Sequence, residues 1–375
     1  MNCLGMRART AVVLGAIVVG LPVFSPMWRA NKAPATSAEA TVPRLERNIP
    51  ELMKKDGVPG LAIAVIRAGK TAWLHGFGMK EVRTGQPVTG ETVFEAASLS
   101  KPVFTYAVLK LVEQGKLRLD VPLTTYLPKP FVSGDERLAK ITARIVLSHR
   151  TGFPNWPADD GSVSIYFTPG ERFSYSGEGY IYLQRVVEKI TGKPLNEYMT
   201  EAVFTPLRMT SSSYVWRPDF DALTATGYDS DGKPTELWKP TEALAASSLN
   251  TTAKDYALFV EAILNGKGLK PATLREMKTP EIALDPECRI CIKHEPKRLS
   301  KSLFWGLGWG IERKDGTDAL WHWGDNGSFK SFVMADPKTK SGVVMFANSE
   351  NGLEVAKPVV DEAMGRGSLA FEWLK

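Results

Sequence analysis

Several familiar signatures are missing from this 375-residue chain. It has no G-x-S-x-G, no phosphate-binding P-loop and no H-E-x-x-H, and Gly306-Leu307-Gly308-Trp309-Gly310 lacks the spacing of a dinucleotide fingerprint. Nucleotide and zinc-protease readings fall away. Cysteine is scarce, with only three. Cys288 and Cys291 form a C-x-x-C with His294 three residues on, but a zinc site needs a fourth ligand and none is evident. A local disulfide is the plainer reading in an exported protein, a thioredoxin-like site would need a βαβ setting, and no metal or cofactor is assigned. Charge of one sign is scarce too. The net +6 falls to +3 once Arg7, Arg9, Arg29, Lys32 and Glu39 are removed with a leader ending near residue 40. No basic run is interleaved with aromatics, so a nucleic-acid partner is not expected. Internal repeats and long low-complexity segments are absent.

Long apolar runs are confined to the N-terminus. Arg7 and Arg9 precede the stretch from Ala11 to Phe24, and Ala33-Pro34-Ala35 and Ala38-Glu39-Ala40 follow as small-residue cleavage sites. This pattern predicts a secretion signal over residues 1–40 and an exported, periplasmic or secreted protein. Left uncleaved, the run is barely long enough to act as a membrane anchor. Cys3 lies ahead of it, where a lipoprotein-type cysteine is not expected.

What is present starts with Ser98-Leu99-Ser100-Lys101 at the mouth of an apolar helix predicted from Lys101 to Gln114. Three residues apart on a helix is one neighbouring position on the same face, so hydroxyl and amine can touch. Serine is a weak nucleophile until a neighbouring base takes its proton. Lysine can be that base only when neutral, which requires burial or a nearby cation to lower its pKa. A helix N-terminus would also favour an oxyanion beside Ser98. The bland alternative is that Ser98 or Ser100 is an N-cap and the spacing is chance.

Two further constellations follow. Tyr175, in Phe173-Ser174-Tyr175-Ser176-Gly177-Glu178, lies between a Pro169-Gly170 turn and a helical run, where it is either a proton shuttle or a packing residue. His322-Trp323-Gly324-Asp325 ends a strand-like stretch whose glycine permits close approach of a ligand to the backbone. His322 would face the same space as a cation or proton carrier.

Taken together and in this order, the three sets resemble the serine β-lactamase-like superfamily, in the branch of class C β-lactamases, DD-peptidases and related esterases and aminopeptidases. The stretches Leu147-Ser148-His149-Arg150-Thr151-Gly152-Phe153-Pro154, Thr252 to Phe259 and Val343 to Ser349 add to the resemblance, which spans roughly residues 43 to 366. It implies that Ser98 attacks a carbonyl, that Lys101 and Tyr175 move its proton, and that His322 stands in for the third-motif lysine. It also implies an oxyanion hole from the backbone N–H groups of Ser98 and Asp325. Gly177, Glu178, Trp323, Gly324 and Trp156 are then the expected substrate-binding residues, and Tyr166, Trp216, Tyr228 and Trp238 further candidates for the groove. His149 lies outside the motifs and is read as structural. The family's Tyr-x-Asn is Tyr175-Ser176-Gly177 here, so an amide-reading contact is missing or replaced. That departure weighs against efficient lactam hydrolysis more than against acyl transfer.

The coarse pattern is strands at both ends and helices between. It predicts an α+β fold with one antiparallel sheet built from about residues 41–92 and 300–375, flanked by helices, and a mostly helical part inserted over about 93–299. The resemblance implies the same architecture, with a groove between the two parts. The expected function is acyl-enzyme hydrolysis of an amide, lactam or ester, with a carboxylesterase or D-amino-acid peptidase as the nearer alternative. A scaffold relative without turnover is the alternative from another class, and the intact Ser98, Lys101 and Tyr175 count against it.

Overall fold

The computed structural model describes residues 37–375 together with Ala11, so Cys3 and most of the expected leader fall outside the described residues, while Ala38-Glu39-Ala40 lies in the first helix. Helix α1, Ser37–Asp56, runs through Pro43 and Pro50 without ending. Leu45, Ile49 and Met53, four residues apart, form its buried stripe. Strands β1 (Gly60–Arg67) and β2 (Lys70–Glu81) form the expected hairpin, and short strands β3 (Gln86–Pro87) and β4 (Val93–Glu95) follow. Helices α2 (Ser100–Glu113) and α3 (Gly177–Thr191) come next, then β5 (Asn250–Thr252) and α4 (Ala253–Asn265). Thr252 caps α4 as its sequence suggests, its hydroxyl accepting the Asp255 N–H at 3.0 Å.

The remaining strands are β6 (Ile282–Ala283), β7 (Leu303–Trp305), β8 (Gly310–Lys314), β9 (Thr317–Asp325), β10 (Lys330–Asp336) and β11 (Ser341–Ala347). Helices α5 (Gly352–Met364) and α6 (Ala370–Leu374) close the chain. Nine strands make one antiparallel sheet in the order β3-β2-β1-β11-β10-β9-β8-β7-β6. The N-terminal hairpin thus pairs with the C-terminal strands through β1 and β11, while β6 adds an edge strand from the middle of the chain. The run from Trp305 to Arg313 reads as one strand in sequence but divides at Gly306–Trp309. There Gly308 takes φ +74°, and a β-carbon on it would fall 2.1 Å from Thr105 Oγ1.

Strand β1 is buried on both faces because helices cover both sides of the sheet. Leu61, Ile63 and Val65 join the core with α1 and α5, whereas Ala62, Ala64 and Ile66 join the larger core with α2, α3 and α4. Alternation along a strand therefore decides which layer a residue serves. On β9 it places His322 toward the helical layer and Trp321 and Trp323 toward α6.

Candidate active site

Ser98 occupies a single 3₁₀ turn, Ala97–Leu99, that runs directly into α2. Neither Ser98 nor Ser100 caps a helix with its side chain, so the N-cap reading is set aside. Ala97 is held at φ +49°, a conformation that costs a non-glycine residue on the order of 1 kcal/mol and persists only where neighbours impose it. Those neighbours are visible. Ser331 Oγ donates to the Ala96 carbonyl at 2.9 Å, Ser100 Oγ donates to the Ala97 carbonyl at 2.6 Å, and the Ala96 N–H reaches Leu249 O at 2.8 Å. Ser98 is left half-buried between fully buried neighbours, with its hydroxyl at the surface of a rigid turn.

Lys101 is wholly buried, and its Nζ donates to Ser98 Oγ at 3.0 Å and to the Ala246 carbonyl at 2.8 Å. The amine lies 4.8 Å from the Tyr175 ring centroid and 5.6 Å from that of Tyr180. With no carboxylate paired to it, burial pushes its pKa down to about 7. A large share of the amine is therefore neutral at neutral pH, as a general base requires. Burial acts on Tyr175 in the opposite sense, holding the phenol well above its ordinary 10, while the Ser98 hydroxyl pulls weakly the other way. The phenol hydroxyl feels Ser98 but meets no partner at hydrogen-bond geometry, and it is buried. Such an orphaned group calls for an explanation, and a reacting atom beside Ser98 supplies one.

His322 is fully buried on the same side, its ring 6.2 Å from that of Tyr175. Burial first, then the Lys101 charge, push its pKa down to about 3. Of the two roles expected for it, cation or proton carrier, burial beside an amine favours the neutral imidazole. Its Nδ1 pairs with the Trp323 carbonyl at 2.8 Å and so carries the proton, leaving a buried, unpartnered Nε2 as an acceptor. His149, read as structural, lies directly under the phenol. Its ring stacks on Tyr175 at 4.3 Å, its Nδ1 accepts the Ser176 N–H at 3.0 Å, and its carbonyl accepts the Ser174 N–H at 2.8 Å.

Gly324 explains how the strand reaches the nucleophile. A β-carbon there would lie 2.2 Å from Ser331 Oγ, 2.3 Å from Ala96 O and 3.1 Å from the Ala97 side chain. Only glycine lets β9 press against the Ser98 turn, and this brings the Asp325 backbone beside it. The Asp325 carboxylate, about half exposed, accepts the Gly327 N–H at 3.0 Å and pairs with Lys330. Its side chain is occupied by the turn, and only its backbone is available to an oxyanion.

The expected groove residues divide. Trp156 is 47% exposed, and with Glu178, Arg185 and Ile181 it lines a cavity of about 680 Å³. Trp156 also borders a neighbouring cavity of about 390 Å³ with Glu95, Glu236, Trp238 and Asn326. Gly177 lies against this wall, where a β-carbon would come within 2.5 Å of Asn155 O and 3.3 Å of the Trp156 ring. The Trp323 side chain is 7% exposed and packs on Tyr175 at 4.7 Å and on Trp373 at 5.4 Å, so it backs the phenol. Trp216 packs on Phe220, and the Tyr228 hydroxyl accepts the Val82 N–H away from this wall. Tyr166 is exposed and borders neither cavity.

Two contributors had no motif to announce them, the Ala246 carbonyl on Lys101 and Glu95, while the His149 ring under Tyr175 belongs to the 147–154 stretch. Glu95 is buried, accepts from Asn326 Nδ2 at 2.9 Å, and is raised to about 7 by burial, against the Asn326 amide and the Trp238 N–H. Cys288 and Cys291 are bonded to each other, so their sulfurs are not zinc ligands.

Known proteins are similar to this chain in sequence and fold. The Beta-lactamase family model matches residues 45–362. Protein flp of Staphylococcus aureus strain MRSA252 is 23% identical over 322 residues, covering 79% of this chain and 60% of that protein. Unguisins hydrolase ungD of Aspergillus violaceofuscus is 26% identical over 367 residues, covering 85% and 64%. The chain thus spans less than two thirds of the length of these curated relatives. Among solved structures, an octameric penicillin-binding protein homologue from Pyrococcus abyssi superposes with TM-score 0.72 at 25% identity, covering 87% of this chain and 78% of its own. D-alanine carboxypeptidase AmpC from Burkholderia cenocepacia does so with TM-score 0.73 at 23% identity, covering 88% and 99%. On the family match, the fold and the order of its motifs, the chain belongs to the Beta-lactamase family of serine hydrolases.

Proposed function

We propose that this protein is an exported serine hydrolase that carries an acyl group on Ser98. The observation that bears the most weight is the 3.0 Å contact between Lys101 Nζ and Ser98 Oγ, made by an amine that burial brings down to about 7. As Oγ attacks the substrate carbonyl, its proton passes to Lys101. The negative charge on the carbonyl oxygen is met by the backbone N–H groups of Ser98 and Asp325. Tyr175, a phenol throughout the neutral range, is suited to hand a proton to the leaving group rather than to act as the base. Neutral His322 accepts a hydrogen bond beside it. Water then cleaves the Ser98 ester by the reverse sequence. Export rests on the leader pattern, and the Cys288–Cys291 bond suits an oxidising compartment.

The groove favours uncharged esters and amides over carboxylate-bearing lactams. The cavity beside Asn326 presents Glu95 and Glu236, and no lysine or arginine lines it. The amide of the family's Tyr-x-Asn has no room at Gly177, where the Asn155 backbone and Trp156 already sit. One relative is named a hydrolase and one structural neighbour a D-alanine carboxypeptidase, which is consistent with acyl transfer to several acceptors. Measured on nitrocefin, p-nitrophenyl acetate and a D-Ala-D-Ala peptide, kcat/KM relative to the spontaneous rate is expected to be highest for the neutral ester. A tenfold margin corresponds to only about 1.4 kcal/mol. Faster turnover of nitrocefin would overturn the ester preference while leaving the acyl-enzyme reading intact.

A further inference from the structure

We infer that the Cys288–Cys291 loop is a positioning clasp for Tyr175, so that turnover depends on that disulfide. The inference rests on the hydrolase reading, in which Tyr175 works beside Ser98. Residues 173–176 lie in neither helix nor strand, Ser176 is extended, and successive N–H groups here find partners on different sides. Those of Ser174 and Ser176 go to His149, one to its carbonyl and one to its ring. That of Tyr175 goes the other way, to the Arg289 carbonyl at 2.9 Å. Arg289 lies between the two bonded cysteines. The ring closed by the disulfide therefore fixes the direction of the carbonyl that holds the Tyr175 backbone.

A second tether lies three residues upstream. Arg172 donates through Nε to Cys291 O and through Nη2 to Ile292 O, both at 3.2 Å. At its base the loop is anchored by the buried Asp285. Its carboxylate accepts the Glu287 and Lys297 N–H groups at 2.9 and 2.7 Å, and its carbonyl accepts Trp373 Nε1 at 2.8 Å. Between base and tip, packing is thin. A cavity of about 340 Å³ opens there, lined by Phe173, Ile282, Asp285, Cys291 and Leu299, and Ile290 and Leu299 are exposed. Arg289 and Ile290 are exposed while Cys291 is buried, so the covalent ring ties Arg289 to an anchored residue. Without the Arg289 carbonyl the Tyr175 segment keeps His149, the Ser176 hydroxyl on Pro154 O at 2.9 Å and the Tyr175 ring on Trp323, but nothing holds the Tyr175 N–H. A displacement of the phenol of about 1 Å is enough to cost ~10²-fold in turnover.

The test uses the full chain, oxidised and then reduced with dithiothreitol. The reagent supplies two electrons and two protons, giving two cysteine thiols and its own cyclic disulfide. Alkylation with iodoacetamide and peptide mass count the thiols at 288 and 291. On p-nitrophenyl acetate, reduction is expected to lower kcat by about 10- to 100-fold with KM changed less than about twofold. Reoxidation should restore it, and the Cys288→Ser/Cys291→Ser variant should match the reduced protein and ignore the reductant. Hydrogen exchange supplies a readout independent of turnover: the Tyr175 amide should be protected in the oxidised protein and exchange at least about tenfold faster in the reduced one. Unchanged kcat and unchanged Tyr175 protection in fully reduced protein would overturn the clasp. An oxidised protein that neither turns over ester nor takes a label at Ser98 would instead refute the hydrolase reading, and the exchange comparison would still decide the clasp.

Discussion

Replacing Lys101 with alanine is expected to lower kcat/KM on p-nitrophenyl acetate by about 10²- to 10⁴-fold, the usual worth of a positioned general base. The size follows from the surroundings of the amine. Its polar contacts are Ser98 Oγ and the Ala246 carbonyl, with the Tyr175 and Tyr180 rings on its flanks, so no second base is ready to take the serine proton. Tyr175 is held as a phenol, and His322, at about 3, is too weak a base. Lys101→Arg should fail as badly, because guanidinium keeps its charge and cannot accept the proton. The pH profile carries the same signature. The neutral amine is the active form, so kcat/KM should rise with pH and level off, with its midpoint near the Lys101 value of about 7. Glu95 titrates in the same range, at about 7. A limb that persists in Glu95→Gln and vanishes in Lys101→Ala belongs to the lysine. A loss smaller than about tenfold on removing Lys101 would move the base role to Tyr175.

Gly324→Ala should be nearly as damaging, although the residue carries no chemistry. The added β-carbon would sit 2.2 Å from Ser331 Oγ and 2.3 Å from Ala96 O, both tied into the nucleophile turn. Relief requires β9 to back away from Ala96 and Ala97, or the strained Ala97 turn to relax. Overpacking of this kind costs about 1–3 kcal/mol of stability. Either movement also separates the Ser98 and Asp325 backbones that are to share one oxyanion, and a misplacement of ~1 Å is worth about 10²-fold in rate. Thermal unfolding and kcat on the same preparation check both effects. A folded variant with full activity would show that the strand need not approach this closely.

Much of this arrangement is legible in the chain, for reasons that differ by residue. Ser98 and Lys101 meet because helical spacing is local, and the Thr252 cap follows from the same rule. The meeting of Tyr175 and His322 with them is not local and was inferred from motif order alone. Trp323 packs behind Tyr175, a contact that motif order does not specify. His149 is legible as a structural residue of the 147–154 stretch, but not as the ring under Tyr175, because stacking across a loop has no sequence period. The disulfide is the plainer of three readings of C-x-x-C, and its link to Tyr175 depends on a loop path that no periodicity encodes. The division at Gly306–Trp309 was hidden by apolar residues on both sides of a turn that exists to clear Thr105.

The central claim is that Ser98 is the nucleophile. Treating the intact protein with a fluorophosphonate and reading its mass should show a single adduct that maps to Ser98, while Ser98→Ala, equally folded, takes none. An adduct on another residue, or none on the folded wild-type protein, would contradict the account.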